Sequence, residues 1–326
     1  MRATATKRLF VAGALALLAT VAALPEAGAQ TYPSQDIRMI CGFPAGSGAD
    51  VFVRYFAEKL RPLAGRTVIV ENKPGANSNI ATEYVAKSKP DGHTLYLFAG
   101  TTVAASMHLF KKPPVDVGKA LRAVATTSNL AFILTVGASS PYKTVPELTA
   151  AMKQKGSTAN YATTANPGRI MGALYRQKAG LTATEVQYRT GPDSLNEMVS
   201  GRLDYGLHDA VFALAQVRAG RLRALAVSTG ERLGATPDIP TMAESGVPMN
   251  LTLWWGVMVP AATPDPIANK INQWFTEIVK MPETKKFLND AGADPMIRTP
   301  EEAQSMFMTA IKEWGDYVRA AGIPPQ

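Results

Sequence analysis

Residues Cys41 to Asp50, CGFPAGSGAD, carry the clearest chemistry in the chain. A short apolar run, Ile37 to Cys41, precedes them, and an amphipathic run, Val51 to Leu60, follows. That order reads as strand, glycine-rich turn, helix start. Such a turn aims unpaired backbone N–H groups and the positive end of a helix dipole at whatever lies above the strand, which makes an anion site in outline. Gly46 and Gly48 let a ligand approach the backbone, Ser47 adds a hydroxyl, and Asp50 is placed to cap the helix. The bland alternative is a tight strand-to-helix connection with no ligand. Two further turns offer the same chemistry: Thr164 to Arg169 (TANPGR), and Arg189-Thr190-Gly191-Pro192. Gly100-Thr101-Thr102 likewise opens a helical run directly after a strand.

Groups for covalent catalysis are sparse. Ser47 sits on a strand-to-helix turn, but Ala45 stands where a nucleophile elbow needs glycine. Of the three histidines, His208 is the one expected in a cleft, and its neighbour Asp209 points to the opposite face of the same strand. A Ser47–His208–Asp209 triad is therefore poorly supported. Val51 replaces the third glycine of a dinucleotide fingerprint, and no phosphate-loop lysine motif occurs. Neither a Cys/His cluster nor a calcium-type carboxylate loop appears, so no metal and no cofactor are expected.

The elements that must position these turns follow from periodicity. From Asp36 onward, short β-rich apolar runs alternate with helical runs, the signature of an α/β fold with largely parallel sheets. Thr144 before Val145-Pro146-Glu147 is an N-cap signal. The strands Phe132 to Val136 and Leu251 to Val259 bracket a block of their own, and three C-terminal helices have no other strands to cover than those of the first half. Two α/β lobes joined by two crossing strands result: lobe 1 from residues 30–131 plus 254–326, lobe 2 from residues 132–253. Strand-to-helix turns then face one another across a cleft, where ligands of open α/β sheets bind.

The first 29 residues read as a leader rather than as fold. Arg2, Lys7 and Arg8 precede an apolar stretch, Leu9 to Leu24, and Ala27-Gly28-Ala29 is a small-residue cleavage site. Cleavage there predicts an exported protein beginning near Gln30. The formal net charge of +8 is spread without a Lys/Arg block, which argues against nucleic acid and suits small anions. The single cysteine, Cys41, excludes an internal disulfide and falls in a buried strand, where it serves as a small apolar residue.

Taken in order, several segments resemble the extracytoplasmic substrate-binding receptors of the tripartite tricarboxylate transporter system, the TctC or Bug family. They include YPSQDIRMICGFPAGSGAD, VIVENKPGANSNIATEYVAKSKPDGHTLYL, NYATTANPG, VQYRTGPDSLNEMVSGRLDYGLHD and WWGVMVPAATP. The resemblance implies a two-lobed periplasmic binding protein fold of type II, which closes on a small organic carboxylate and delivers it to membrane permease subunits. It implies a monomeric receptor and no enzymatic activity. A sensor that signals to a membrane kinase is the runner-up, and a periplasmic hydrolase a third reading.

Carried over residue by residue, the resemblance assigns ligand contacts to Phe43, Ala45, Gly46, Ser47, Gly48, Ala49 and Asp50 in lobe 1, with Thr101 beside them. In lobe 2 it assigns Thr164, Ala165, Asn166, Gly168 and Asp209. Where the family usually reads Phe-Pro-Pro-Gly-Gly, this chain has Ala45 and Ser47. Arg169, if in the cleft, clasps a second carboxylate in a bidentate fork and favours a dicarboxylate; the alternative is a solvated arginine at a helix start. Arg189 stands where the family commonly has lysine. Of Trp254 and Trp255, one is expected in the core and the other on the cleft wall.

Overall fold

The computed structural model describes residues 32–325. The leader expected at residues 1–29 lies outside the described residues. From Gln35 onward the chain forms one unit built on two sheets.

The first sheet has six strands: β1 (Ile37–Cys41), β2 (Val68–Asn72), β3 (Thr94–Ala99), β4 (Leu121–Leu130), β10 (Leu253–Pro260) and β11 (Ala293–Pro295), in the order β11-β4-β10-β3-β1-β2. The second holds β5 (Phe132–Gly137), β6 (Asn160–Thr164), β7 (Thr184–Tyr188), β8 (Tyr205–Asp209) and β9 (Leu222–Val227), in the order β7-β6-β8-β5-β9. One plan underlies both. A parallel trio, β2-β1-β3 or β7-β6-β8, is followed by one antiparallel strand, β10 or β5, and then by β4 or β9, with β11 added at the edge of the first sheet. In each sheet that antiparallel strand is the one that has just arrived from the other: β5 leaves the first sheet after Ala131, and β10 returns from the second. These are the two crossings the sequence implies.

Helices cover the sheets through stripes of apolar residues. Helix α1 (Gly48–Ala64) buries Phe52, Val53, Phe56, Ala57 and Leu60, the i, i+3, i+4 spacing of one face. Gly65, in the left-handed region at φ 62°, stops it. Helix α2 (Asn79–Ala86) follows β2, and α3 (Gly100–Leu109) follows β3 without a loop. After the short α4 (Val117–Ala120), helix α5 (Val145–Lys155) starts at the expected Thr144, which forms a reciprocal capping box with Glu147. In the second sheet α6 (Ala165–Ala179), α7 (Gly191–Val199) and α8 (Ala210–Arg218) follow β6, β7 and β8. The C-terminal helices α9 (Asp265–Lys280), α10 (Pro282–Asp290) and α11 (Pro300–Ala320) return to the first sheet, with α9 and α11 lying on β4.

Strand β10 is buried at all eight positions because β3 and β4 flank it and helices cover it. Its two tryptophans divide as strand alternation requires. Trp254 fills the space above Gly100, where any Cβ would lie 2.2 Å from the indole, and packs edge-on against Phe98. Trp255 turns the other way, toward Phe43 and Phe52. Cys41 is buried, and burial pushes its thiol up to about 12, in line with an unreactive apolar role.

Candidate functional site at converging helix starts

The turn after β1 is organised by its own side chains. Ser47, not Asp50, is the N-cap of α1: its Oγ accepts from the Asp50 N–H at 3.2 Å and donates to the Pro44 carbonyl at 2.7 Å. Asp50 instead reaches back, and one carboxylate oxygen accepts from the Gly46 N–H (2.9 Å) and from Arg54 (2.9 Å) while the other accepts from Asn72 (2.8 Å). Burial opposes its charge, but Arg54, the Gly46 N–H and Asn72 together hold the carboxyl below the usual range. The bend needs Gly46, which sits at φ 80°. With Gly46 and Asp50 bonded internally, Gly48 and Ala49 remain as first-turn residues whose N–H groups have no partner among the described residues.

Gly48 and Ala49 face a chamber of about 70 Å³ between the two sheets. The starts of five helices meet there: α1 at Ser47-Gly48-Ala49, α3 at Thr102, α6 at Thr164-Ala165, α7 at Thr190-Gly191-Pro192, and α8 at Asp209 and Val211. Each contributes the positive end of its dipole. Aromatic side chains form much of the remaining wall, with Phe43, Phe52 and Trp255 from the first sheet's side and Phe132 and Phe212 from the second's, beside Pro44, Leu130, Leu253 and Arg189. Thr164 lies in this wall and is 4% exposed, and its hydroxyl is buried without a hydrogen-bond partner. A buried hydroxyl left unmatched is costly, so a polar group from a ligand is its natural complement.

The two rims touch. A Cβ on Gly48 would lie 3.0 Å from Asp209 Oδ1 and 3.1 Å from Val211 Cβ, so this position tolerates no side chain without displacing the opposite rim. Farther out, Asp294 accepts from the Gly234 and Ala235 N–H groups, both at 2.9 Å. The arrangement is a closed one.

The sequence-predicted residues divide accordingly. Phe43, Ser47, Gly48, Ala49, Thr164, Ala165 and Asp209 line the chamber. Ala45 and Gly46 form the exposed tip of the bend, outside the wall, and Asp50 lies beneath it as a brace. Thr101 is buried behind the wall; the helical phase of α3 presents Thr102 in its place. Asn166 is fully buried and reaches Ser106 at 3.4 Å. Gly168 is a packing position, its absent Cβ leaving room for Phe132.

Arg169 is the clearest departure from expectation. It lines no part of the chamber, because its position in α6 turns it onto β7, where it pairs with Glu185 at 3.5 Å and, with the Gln187 amide turned so that its oxygen faces the guanidinium, donates to that oxygen at 2.6 and 3.0 Å. Arg189 is the arginine at the chamber.

The hydrolytic arrangement is not assembled. Both nitrogens of His208 are taken, Nδ1 by Thr135 and Nε2 by Ser194, each at 2.9 Å, and the ring is buried in the core of the second sheet rather than in the cleft. Burial pulls its pKa down to about 3. The Ser47 hydroxyl is bonded to its own turn, and Asp209 caps α8 through the Phe212 N–H at 3.0 Å. Burial raises the Asp209 carboxyl, against the pull of that N–H. Among the described residues no cluster of His, Cys, Asp and Glu could hold a metal.

Comparison with known proteins agrees with this architecture. The family described as "Tripartite tricarboxylate transporter family receptor" (TctC) matches residues 52–323. A UPF0065 protein of Bordetella bronchiseptica is 32% identical, over 93% of this chain and 90% of its own length. An R. palustris protein solved with adipate has a TM-score of 0.85 at 25% identity, covering 90% of this chain and 100% of that one. MatC from Rhodopseudomonas palustris, solved with bound malate, has a TM-score of 0.80 at 25% identity, covering 88% and 100%. The chain belongs to the TctC family of tripartite tricarboxylate transporter receptors, with the two-sheet α/β fold of periplasmic binding proteins.

Proposed function

We propose that this receptor works in the periplasm, captures a small organic carboxylate between lobe 1 (residues 30–131 plus 254–326) and lobe 2 (residues 132–253), and hands it to the membrane permease subunits of a tripartite transporter. The observation that carries the reading is the chamber itself. Five helix starts and Thr164, whose hydroxyl is unmatched, converge on it, and much of its remaining wall is aromatic. Such a site favours negative charge at one end and apolar atoms beside it. The carboxylates bound by the two R. palustris relatives support the same class. Ser47, Gly48 and Ala49 from one lobe and Thr164, Ala165 and Asp209 from the other are the contacts proposed, with Phe43 and Trp255 against the ligand body.

A ligand held by both rims binds the closed form and shifts the population toward it. The test is thermal melting of the mature protein, beginning near Gln30, against a panel of carboxylates, amino acids, sugars and divalent metals. Ligands of the folded form raise the melting temperature, by about 2.7 kcal/mol of added stability at a hundredfold excess over Kd. Shifts by carboxylates alone are the expected outcome. A panel in which only sugars, metals or carboxylate-free amines act removes the proposal.

A further inference from the structure

Beside the chamber lies a second, wider one of about 370 Å³, and the two share Phe43, Pro44, Thr102, Ala165 and Arg189 as common wall. Arg189 is the one cation and Asp209 the one carboxylate in the combined lining. The Arg189 guanidinium has no hydrogen bond or ion pair with any described residue, in contrast to Arg169 twenty positions earlier. The backbone opposite is unusual. Among the described residues, four non-glycine positions have positive φ, Ala76 (45°), Asn77 (53°), Ser78 (70°) and Ala165 (54°), and all four line this second chamber. Left-handed backbone costs an ordinary residue about 1–2 kcal/mol and persists where the surroundings impose it, commonly at ligand clamps.

We infer that the second chamber is a distal subsite and that Arg189 is its counter-ion, so that the receptor's preferred ligand is a dianion with one carboxylate at the helix starts and the other beside Arg189. The inference rests on the carboxylate reading above and adds the second charge to it. A ligand that occupied both spaces would pass its apolar middle along Phe43 and Pro44, and its far end would reach a guanidinium that holds no other partner among the described residues. Arg189 comes from the turn between β7 and α7 and thus moves with lobe 2, whereas residues 74–78 belong to lobe 1. The distal carboxylate would therefore also bridge the lobes on closure.

The experiment is calorimetric titration with a ladder of straight-chain α,ω-dicarboxylates from succinate to pimelate, and with straight-chain monocarboxylates of matching carbon number. The proteins are the unaltered receptor, Arg189→Ala, Arg189→Lys and Arg169→Ala. Arg189→Ala should weaken the best dicarboxylate by about ten- to a hundredfold, the range of a charge-assisted hydrogen bond, and its monocarboxylate counterpart by less than about threefold. Arg189→Lys should recover part of the loss, and Arg169→Ala should show no preference between the two series. Because Arg189 is exposed and unpartnered, its variants should melt as the parent does, and this is checked in the same samples.

Equal losses for mono- and dicarboxylates, or no loss, overturn the subsite. If the unaltered receptor binds monocarboxylates as tightly as dicarboxylates, the distal subsite falls and the carboxylate reading stands. If neither series binds, it is the carboxylate reading that has failed.

Discussion

The turns that open the two sheets occupy the same place in a shared plan and are built in opposite ways. After β1, six residues make a bend whose polar groups are largely matched within lobe 1: Ser47 to Pro44 and Asp50, and Asp50 to Gly46, Asn72 and Arg54. After β6 there is no bend. The strand passes straight into α6 through Ala165 at φ 54°, and the hydroxyl of Thr164 and the amide oxygen of Asn166 are buried without partners. One rim is preformed and offers N–H groups; the other holds strain and unmatched acceptors and donors. A rim of the second kind gains more from a ligand than from an empty cleft, and so favours closure on an occupied site.

The largest effect that would break the contrast is on the braced side. Asp50→Ala leaves Gly46, Asn72 and Arg54 without their acceptor and should lower the stability of the apo-protein by about 3 kcal/mol in denaturant unfolding. The Asp50 carboxyl is held below its usual range, so its contribution is complete at neutral pH and is lost as pH falls through the folded-state value. Next comes the contact between the rims. Gly48→Val places methyl groups against Asp209 and Val211 and should penalise closure by about 1–3 kcal/mol, seen as a ten- to hundredfold weaker ligand affinity with little change in melting temperature. Affinity equal to the parent's would show that the rims separate in the bound state.

His208 sharpens the comparison from the core of lobe 2. Folding holds it neutral with a pKa of about 3, whereas the unfolded chain takes up a proton near pH 6.5, so the unfolded state binds more protons between those values. Stability from this group is complete above about pH 6.5 and declines by about 1.4 kcal/mol per pH unit below it. His208→Gln should flatten that slope in denaturant melts between pH 4 and 7. The smallest effects form a pair. Ser47→Ala removes an N-cap and should cost about 1 kcal/mol of stability, while Thr164→Val removes a hydroxyl that bonds to nothing and should cost the apo-protein almost none, yet weaken carboxylate binding. Equal stability losses would mean that the two rims are built alike.

Much of this was legible in the residues. Alternating strand and helix signals specify the parallel trios, and the cap at Thr144 and the opposed tryptophans follow from local rules. Strand β4 escaped because its second half, Thr126-Thr127-Ser128-Asn129, reads as a polar loop. In the fold Thr126 to Ser128 are buried, between β10 on one side and β11 on the other. β11 itself is three residues ending in proline, too short for a periodic signal. The turns of the site were visible through their glycines and hydroxyls. Which arginine lines the chamber was not, because Arg169 and Arg189 differ only in the direction that a helix phase and a strand end give them, and that direction depends on Glu185 and Gln187 across the sheet.

The crossing strands also govern how the chain can assemble. Because β10 lies between β3 and β4, those two strands keep bare inner edges until residues 253–260 have emerged, about 120 positions after β4 ends. Long-range pairing of this kind slows folding and leaves open edges at risk of sticking to other chains. A truncation before Leu253 should therefore give insoluble material rather than a half-sized folded product, and a permuted chain with β10 spliced next to β3 should refold faster than the natural order.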